Sequence, residues 1–290
     1  MSDHSAYQAL IDSHCHLDFT AFDNDRQLIL ETCRERHISA VVIPAVCRKD
    51  WQRILTLCHG QEMLFPALGL HPCFTSEHKA EDLDRLEQLC SSEVLIAIGE
   101  IGLDFFKKRE FEKRQFKKRQ FEKQSNRDIQ RYFFSEQLQI AGQYQLPVLI
   151  HARKSHDEVL KYLKTRSLSS LSSLQGIIHA YSGSYEQAKE YLKLGFKLGF
   201  GGAFTYPKAT KLRSLVSQLP IDAWVLETDA PDMSPVKHHG NRNSPLYLIE
   251  IAKEFIQLYD CDCQHSHIIE QLYNNTLDIL PALLKIRGNA

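Results

Sequence analysis

The sequence lacks a long apolar run, a cysteine pair with metal-finger spacing and a surplus of one charge. None of its 290 residues lies in a stretch approaching the roughly 18 apolar residues that a membrane span needs. The start, MSDHSAYQ, lacks the charged-then-apolar pattern of a signal peptide. Because 35 Lys and Arg residues balance 36 Asp and Glu residues, any binding of nucleic acid must be local. We expect a cytoplasmic protein without a membrane partner.

Eight cysteines are present, but their spacing supports neither a disulfide framework nor a zinc finger. None belongs to a C-x-x-C pair, and six are scattered singly through apolar segments. Free cysteine often behaves as a small buried hydrophobe. We therefore predict reduced, mostly buried thiols, with Cys261 and Cys263 as one close pair that has no matching partner.

Short apolar runs alternate with amphipathic segments, which is the pattern of a parallel sheet with helical crossovers. Strands are predicted near 9–13, 40–45, 64–69, 94–99, 147–150, 176–178, 196–201 and 224–226. Helices are predicted at 24–37, 50–59, 81–90, 127–144, 155–166, 184–194, 209–218, 245–259 and 264–284. Eight strands, each followed by a helix, predict a (β/α)8 TIM barrel.

The rival fold is an open doubly wound sheet, which needs a glycine-rich phosphate loop after its first strand. Here that position reads Asp12-Ser13-His14-Cys15-His16. No linker rich in Pro, Gly or Ser divides the chain, so we predict one domain over 1–290 and a monomeric protein.

Residues 107–124 do not fit the alternation and are predicted to be an insertion. They read KKREF-EKRQF-KKRQF-EKQ, with nine basic and three acidic residues. The phenylalanines recur every five residues, about 140° apart on a helix, so they cannot form one helical stripe. Two interpretations remain open: a solvated helix or loop, or a basic flap that contacts phosphates and bases beside a site.

Imidazole and carboxylate groups stand where the predicted strands end, which is where parallel barrels place their chemistry. They are His14 and His16 after strand one, His71 after strand three, Glu100 after strand four, His151 after strand five, His179 after strand six and Asp229 after strand eight. Residues two apart on an extended segment point the same way, so His14 and His16 can bind one ion. Buried carboxylates without a shared cation would be strongly destabilising, so the set predicts a metal site.

The chain contains a control for this prediction. His265-Ser266-His267 has the same spacing as His14-Cys15-His16, but it lies in a helical pattern. Helix positions two apart point about 200° apart, so this pair is not predicted to bind metal.

The motifs together resemble the TatD family of metal-dependent deoxyribonucleases in the amidohydrolase superfamily, most closely its YjjV-type branch. They are H-C-H at 14–16, G-L-H-P at 69–72, G-E-I-G-L-D at 99–104, H-A-R at 151–153, H-A-Y-S-G at 179–183, G-G-A-F-T-Y-P at 201–207 and L-E-T-D-A-P-D-M at 226–233. The resemblance runs from about residue 10 to about residue 280, and the repeat at 107–124 is not part of the usual family pattern.

The resemblance implies a pair of divalent ions. His14, His16 and Asp229 would bind one ion and His151 and His179 the other. Glu100 would bridge them, and Glu100 and Asp229 would be the catalytic carboxylates. Two such metals polarise a phosphoryl oxygen and hold a hydroxide for in-line attack. The ligand types suit zinc, magnesium, manganese or iron, so the sequence does not name the metal.

Four further residues are predicted to contact the substrate: His71, Asp104, Arg153 and Tyr181. Arg153 lies two residues after His151 and offers a planar fork for phosphate oxygens, or else forms a salt bridge at the rim. Asp104 is expected to orient a metal-bound histidine or Arg153.

Four other polar residues are predicted to lie outside the chemistry. Asp12 is expected to make a hydrogen bond inside the barrel, and His156, His238 and His239 are placed on the surface.

One departure bears on the substrate. Many family deoxyribonucleases have an acidic residue in an R-N-E-P motif, where this chain reads Arg242-Asn243-Ser244-Pro245. We expect Asn243 or Ser244 to cap the following helix, with Pro245 in its first turn.

Three functions are therefore open. The first is a binuclear phosphodiesterase, an exo-acting deoxyribonuclease with single-stranded DNA as its partner. The second is a metal-dependent hydrolase of amides, esters or lactones, because the same metals also activate carbonyl carbon. The third is a non-catalytic nucleic-acid-binding scaffold that uses residues 107–124.

Overall fold

A computed structural model of the chain describes residues 9–106, 125–167, 174–259 and 265–284. Its eight strands form one parallel sheet in sequence order, from β1 to β8. The strands are β1 (Leu10–Asp12), β2 (Ile38–Pro44), β3 (Leu64–Leu68), β4 (Ala97–Asp104), β5 (Val148–Arg153), β6 (Gly176–Ile178), β7 (Phe196–Phe200) and β8 (Trp224–Leu226). The Ser13 backbone N–H donates to Leu226 O at 3.0 Å, which brings the last strand back to the first. The predicted TIM barrel is confirmed.

Helices cover the outside of this barrel. They are α1 (Arg26–Glu35), α2 (Arg48–Cys58), α3 (Glu81–Ser92), α4 (Asn126–Gln143), α5 (His156–Ser167), α6 (Tyr185–Lys193), α7 (Thr210–Gln218), α8 (Leu248–Leu258) and α9 (His265–Ile279). Two of them begin at capping boxes, formed by Ser125 with Asp128 and by Ser184 with Gln187. Among the described residues, none of these helices is both long enough and apolar enough to cross a membrane.

Alternation along the strands separates two hydrophobic layers. Leu149, Ile177 and Val225 belong to a small cluster that includes Leu280 and Leu283, just after α9. The neighbouring residues on the same strands belong to the large cluster beneath the outer helices. Because side chains alternate along a strand, the small cluster fills the barrel interior. The next interior positions toward the carboxyl ends are therefore 151, 179 and 227.

Strand β4 differs from its prediction. It does not end at Gly99 but runs to Asp104, so Glu100 lies inside the strand and not at its end. Ile98 pairs with Val148 and Ile101 with Ile150, so β4 has one residue more than β5 between these pairs. An extra residue of this kind is a β-bulge, which changes the direction of the side chains beside it. Gly99 and Gly102 are the residues that mark its position in the sequence.

The cysteines that the structure describes form no disulfide. Cys15, Cys33 and Cys47 are buried, Cys58 and Cys90 are half-buried, and Cys73 is exposed. The basic repeat at 107–124 and the pair Cys261 and Cys263 lie outside the described residues.

Candidate metal centre

The side chain of Glu100 lies at the centre of the barrel mouth, where it is 2% exposed. Its two carboxylate oxygens face different histidines. Oε2 is 3.2 Å from Nε2 of His14 and 3.6 Å from Nε2 of His16. Oε1 is 3.0 Å from Nδ1 of His151 and 3.9 Å from Nε2 of His179. The carboxylate therefore lies between two separate sets of imidazoles.

Asp229 repeats this division on the other side of the mouth. Its Oδ1 is 3.5 Å from Nε2 of His16 and 3.7 Å from Nε2 of His14, while its Oδ2 is 3.7 Å from Nε2 of His179. Asp229 has a positive φ of 58°, a left-handed conformation that Asp tolerates better than most residues. Its backbone N–H donates to His14 O at 2.9 Å, which fixes the carboxylate beside the first strand.

The segment His14-Cys15-His16 remains extended beyond β1. The Cys15 N–H donates to Val42 O on β2, and the His16 N–H donates to Ala230 O after β8. Held on both sides, the segment buries Cys15 and points both histidines toward Glu100 and Asp229. The structure places both histidines on the same side of this segment.

The charges of the cluster are strongly coupled. Burial alone would raise the pKa of the Glu100 carboxyl, but the surrounding imidazoles hold it well below its usual range. Burial alone would lower the pKa of His16, yet Asp229 and Glu100 raise it to about 9. His179 behaves in the same way, with its pKa raised to about 10 by Glu227, Asp229 and Glu100. The ionised carboxylates thus favour positive charge on these two imidazoles, whereas burial and the neighbouring His179 lower the pKa of His14.

The donor set fits a divalent cation. His14, His16 and Asp229 offer ligand atoms that all lie within 4.8 Å of one another, and so do Glu100, His151 and His179. Nδ1 of the buried His14 has no hydrogen-bond partner among the described residues, and its Nε2 has only the Glu100 carboxylate at 3.2 Å. Buried polar groups are normally satisfied, so this imidazole is suited to a ligand that the protein itself does not supply.

Glu227 is a candidate site residue that the sequence analysis did not include. Its Oε1 accepts the Ala180 N–H at 2.6 Å and lies 3.2 Å from Nδ1 of His179, whose Nε2 faces the cluster. A carboxylate on the outer nitrogen fixes the ring orientation and tautomer of a metal-binding histidine. A Cβ on Gly199 would lie 2.3 Å from Glu227 Oε2, so that glycine makes room for the carboxylate. The available signal was its position directly after the predicted eighth strand, two residues before Asp229.

His71 lies closer to the cluster than its predicted role as a substrate contact implied. Its Nε2 is 3.1 Å from Glu100 Oε1, and its ring contacts His151 with centroids 4.5 Å apart. Its Nδ1 accepts the Cys73 N–H at 3.1 Å. With Cys73 and His151 it forms a further group of possible ligand atoms.

Asp104 and Arg153 are brought together at the rim. Asp104 Oδ2 is 3.1 Å from Nε2 of His151, and its Oδ1 accepts the Phe106 N–H at 2.8 Å. Although burial opposes it, the hydrogen bond from His151 helps hold the pKa of Asp104 below its usual value. Arg153 Nη1 lies 4.0 Å from Asp104 Oδ2. Asp104 therefore contacts both residues that it was predicted to orient.

The structure does not bring Tyr181 to this cluster. The side chain is buried in the layer beneath the helices, and its hydroxyl donates to Ser184 O at 2.5 Å. Sequence proximity to His179 was misleading here because the chain turns directly after β6. A direct substrate contact by Tyr181 is not supported.

The other polar predictions have mixed outcomes. Asp12 accepts from the Thr228 hydroxyl at 2.6 Å inside the barrel, as expected. His239 is exposed and His238 half-buried, but the placement of His156 on the surface is wrong. His156 is 7% exposed, and its Nδ1 lies 3.2 Å from the Tyr191 hydroxyl. Its position at the start of α5 turns it inward against α6.

The loop at 242–245 is structural in this chain. Ser244 caps the short helical turn that leads into α8, with Pro245 as its first residue. Asn243 donates to Thr228 O and Asp232 O, both at 2.7 Å, and Arg242 pairs with Asp25 at 2.5 Å. These contacts attach residues 242–245 to the start of α1 and to the segment that carries Asp229.

A parallel barrel with histidines and a shared carboxylate at the carboxyl ends of its strands has the architecture of a metal-dependent hydrolase. Residues 11–281 match the family described as TatD related DNase. The chain is 35% identical over 271 residues to the metal-dependent hydrolase YjjV of Escherichia coli (strain K12), covering 92% of this chain and 95% of that protein. It is 30% identical over 249 residues to the metal-dependent hydrolase YabD of Bacillus subtilis (strain 168), covering 86% and 91%.

The crystal structure of the E. coli K12 TatD homologue YjjV has the same fold. It superimposes with a TM-score of 0.83 at 32% identity, covering 94% of this chain and 98% of that one. The chain belongs to the TatD-related DNase family, among relatives that are metal-dependent hydrolases.

Proposed function

We propose that this metal-dependent hydrolase is a phosphodiesterase that binds two divalent ions and removes nucleotides from the end of single-stranded DNA. The strongest support is the division of the Glu100 carboxylate, whose two oxygens face two separate histidine sets. A single ion would not need a carboxylate that is shared in this way, whereas a pair of cations does. When bound, such ions polarise a phosphoryl oxygen and lower the pKa of water.

Different residues of the chain would bind each of the two ions. His14, His16 and Asp229 would bind one ion, His151 and His179 the other, and Glu100 both. The Glu227 carboxylate lies 3.2 Å from Nδ1 of His179, and the Asp104 carboxylate lies 3.1 Å from Nε2 of His151. These two carboxylates would keep the two rings oriented while the substrate enters.

A phosphate substrate is favoured by Arg153. Its side chain is 49% exposed and stands two residues beyond His151 on the same strand face, so it points out of the mouth above the cluster. A guanidinium offers paired donors that match the oxygens of a phosphate. An amide, ester or lactone presents no such anion.

The proposal is tested by hydrolysis assays on purified protein reconstituted separately with zinc, manganese, magnesium or iron. The substrates are end-labelled single-stranded DNA, a chromogenic phosphodiester, a chromogenic carboxylic ester and a lactone. We expect metal-dependent cleavage of both phosphodiesters, with mononucleotides as the first labelled product. Turnover of the ester or lactone alone would favour the second function, and short oligonucleotides as first products would contradict the exo mode. DNA binding with no turnover of any substrate would favour the scaffold.

Metal stoichiometry is the second measurement. Elemental analysis after dialysis is expected to give two ions per chain for the wild-type protein. A single tightly bound ion in an active preparation would contradict the bridging role of Glu100.

A further inference from the structure

Phe106 and Arg153 form a pair immediately above the metal cluster. Asp104 and Arg153 are register partners on β4 and β5, and the Phe105 N–H continues the ladder by donating to Arg153 O at 2.8 Å. Phe106 lies two residues after Asp104, just beyond the end of β4, and Arg153 lies two residues after His151 on β5. Arg153 Nη1 is 4.0 Å from Asp104 Oδ2, which is itself 3.1 Å from Nε2 of His151, so the pair lies beside the Asp104–His151 contact.

The two side chains are stacked. The guanidinium carbon of Arg153 is 3.9 Å from the centroid of the Phe106 ring. Phe106 is 46% exposed and is one of the exposed large hydrophobic residues of the described chain. Its backbone is fixed by the hydrogen bond from its N–H to Asp104 Oδ1. A planar cation on an exposed aromatic ring thus stands at the entrance to the site.

The neighbouring Phe105 is enclosed, in contrast to Phe106. Phe105 points to the other side of the strand, packs against the hydrophobic core and is covered by Arg127 and Arg131 of α4, at 4.5 and 5.7 Å from its centroid. Arg131 is in turn paired with Glu158 and Asp128. Phe105 is thus explained by packing, whereas the exposed ring of Phe106 is not.

We propose that Phe106 and Arg153 form a subsite that stacks the nucleobase adjacent to the scissile phosphate, while Arg153 also binds a neighbouring phosphate of the same strand. Aromatic rings and arginine planes are the usual stacking partners of unpaired bases. Because the pair lies beside the Asp104–His151 contact, a nucleotide whose phosphate is held at the cluster would have its base next to the Phe106 ring. This inference rests on the proposed phosphodiesterase function and names the part of the substrate that the site recognises.

The test varies the ring and the base together. Wild-type protein and Phe106→Ala are assayed on end-labelled single-stranded DNA and on the same strand with abasic sites at its two terminal positions. Stacking on an aromatic side chain is worth about 1–3 kcal/mol per base, so Phe106→Ala should lower kcat/KM on the normal strand by roughly 5- to 150-fold. On the abasic strand the two proteins should be equal. Phe106→Tyr should restore activity, and Tyr132→Ala, which removes an exposed aromatic ring on α4, should change neither substrate.

Arg153 is tested by salt dependence. For single strands, each lost phosphate contact reduces the slope of log affinity against log salt by about 0.7. Arg153→Ala should therefore flatten the slope by about that amount on both strands. An unchanged slope would overturn the phosphate contact.

A binding measurement separates this inference from the function on which it rests. A phosphorothioate strand that resists hydrolysis, with the fluorescent base 2-aminopurine at its end, is titrated with metal-loaded protein. Stacking quenches this fluorescence, so we expect quenching by the wild-type protein and little by Phe106→Ala.

If no phosphodiester is cleaved but the quenching still depends on Phe106, the proposed hydrolysis fails and the subsite stands. If DNA is cleaved while Phe106→Ala affects normal and abasic strands equally, or neither of them, the subsite is overturned. Quenching that is identical in both proteins would overturn it as well.

Discussion

Two His-x-His segments with the same spacing have opposite surroundings in this protein. His14 and His16 are buried on an extended segment, and both face Glu100 and Asp229. His265 and His267 are exposed in the first turn of α9. An extended backbone places residues two apart on one side, whereas a helix turns them about 200° apart. The motif therefore offers two converging candidate metal ligands only where the fold keeps it extended and brings carboxylates to it.

A second comparison, with His156, shows that burial alone does not give a histidine the surroundings of the cluster. His156 is as well enclosed as the cluster histidines, but its ring contacts the hydroxyl of Tyr191 and not a carboxylate. Burial accordingly lowers its pKa to about 4, whereas the carboxylates around His16 raise that of its imidazole to about 9. Neighbouring charge distinguishes the two environments.

The largest effect is expected from Glu100→Gln. The amide has nearly the same shape but carries no charge, so it cannot hold two cations together. Hydrolysis should fall on the order of 10³-fold or more, as when one member of a cooperating catalytic set is removed. Circular dichroism should show an unchanged fold, and Glu93→Gln, exposed before the start of β4, should behave as wild type. Turnover near the wild-type rate with two ions bound would contradict the bridging role.

Four variants test the comparison of the two His-x-His segments directly. His14→Ala and His16→Ala should each lose about one ion per chain in elemental analysis, because each removes a ligand from a small set. His265→Ala and His267→Ala should keep the wild-type metal content. Equal losses in all four variants would show that the site is not on the first strand.

A smaller effect is expected from Glu227→Gln. Loss of a carboxylate that orients a metal-binding histidine typically weakens metal affinity 10- to 100-fold, roughly. The matched control is Glu250→Gln, because Glu250 contacts His238 at 2.9 Å in a carboxylate–histidine pair away from the cluster. Competition with a chelator measures both affinities. A change as large in the control as in Glu227→Gln would contradict a positioning role.

The smallest effect on the metal centre should come from His156. The pKa of His156 is about 4 in the folded protein and near 6.5 in the unfolded chain. The neutral ring therefore contributes to the stability of the fold above pH 6.5, and this contribution is lost as the pH falls toward 4. From pH 7.5 to 5 the loss is about 2 kcal/mol. Urea unfolding of metal-free wild type and His156→Gln over this range should differ by that amount in its pH dependence, with metal content unchanged. Parallel pH profiles would show that the ring does not titrate as described.

Much of the fold could be predicted because its signals are local. Strand and helix periodicity, the absence of a phosphate loop and the polar residues after successive strands all lie in short stretches of sequence. These signals were sufficient for the barrel and for the end of the barrel at which the histidines and carboxylates meet. Family resemblance, rather than spacing, supplied the division of ligands between two ions.

The tertiary structure decided what depends on contacts between distant segments. Glu100 points inward because β4 has an extra residue opposite β5, a mismatch visible only when the two strands are paired. Glu227 contacts His179 because Gly199 on the intervening β7 leaves room for its carboxylate. Tyr181 and His156 turn into the layer beneath the helices, where neighbours from α6 enclose them. The sequence by itself determined which segments form strands and helices and which reactive side chains they carry. The orientation of those side chains and the charges around them arise only when separate segments pack together. Both depend on distances of a few ångströms between those segments.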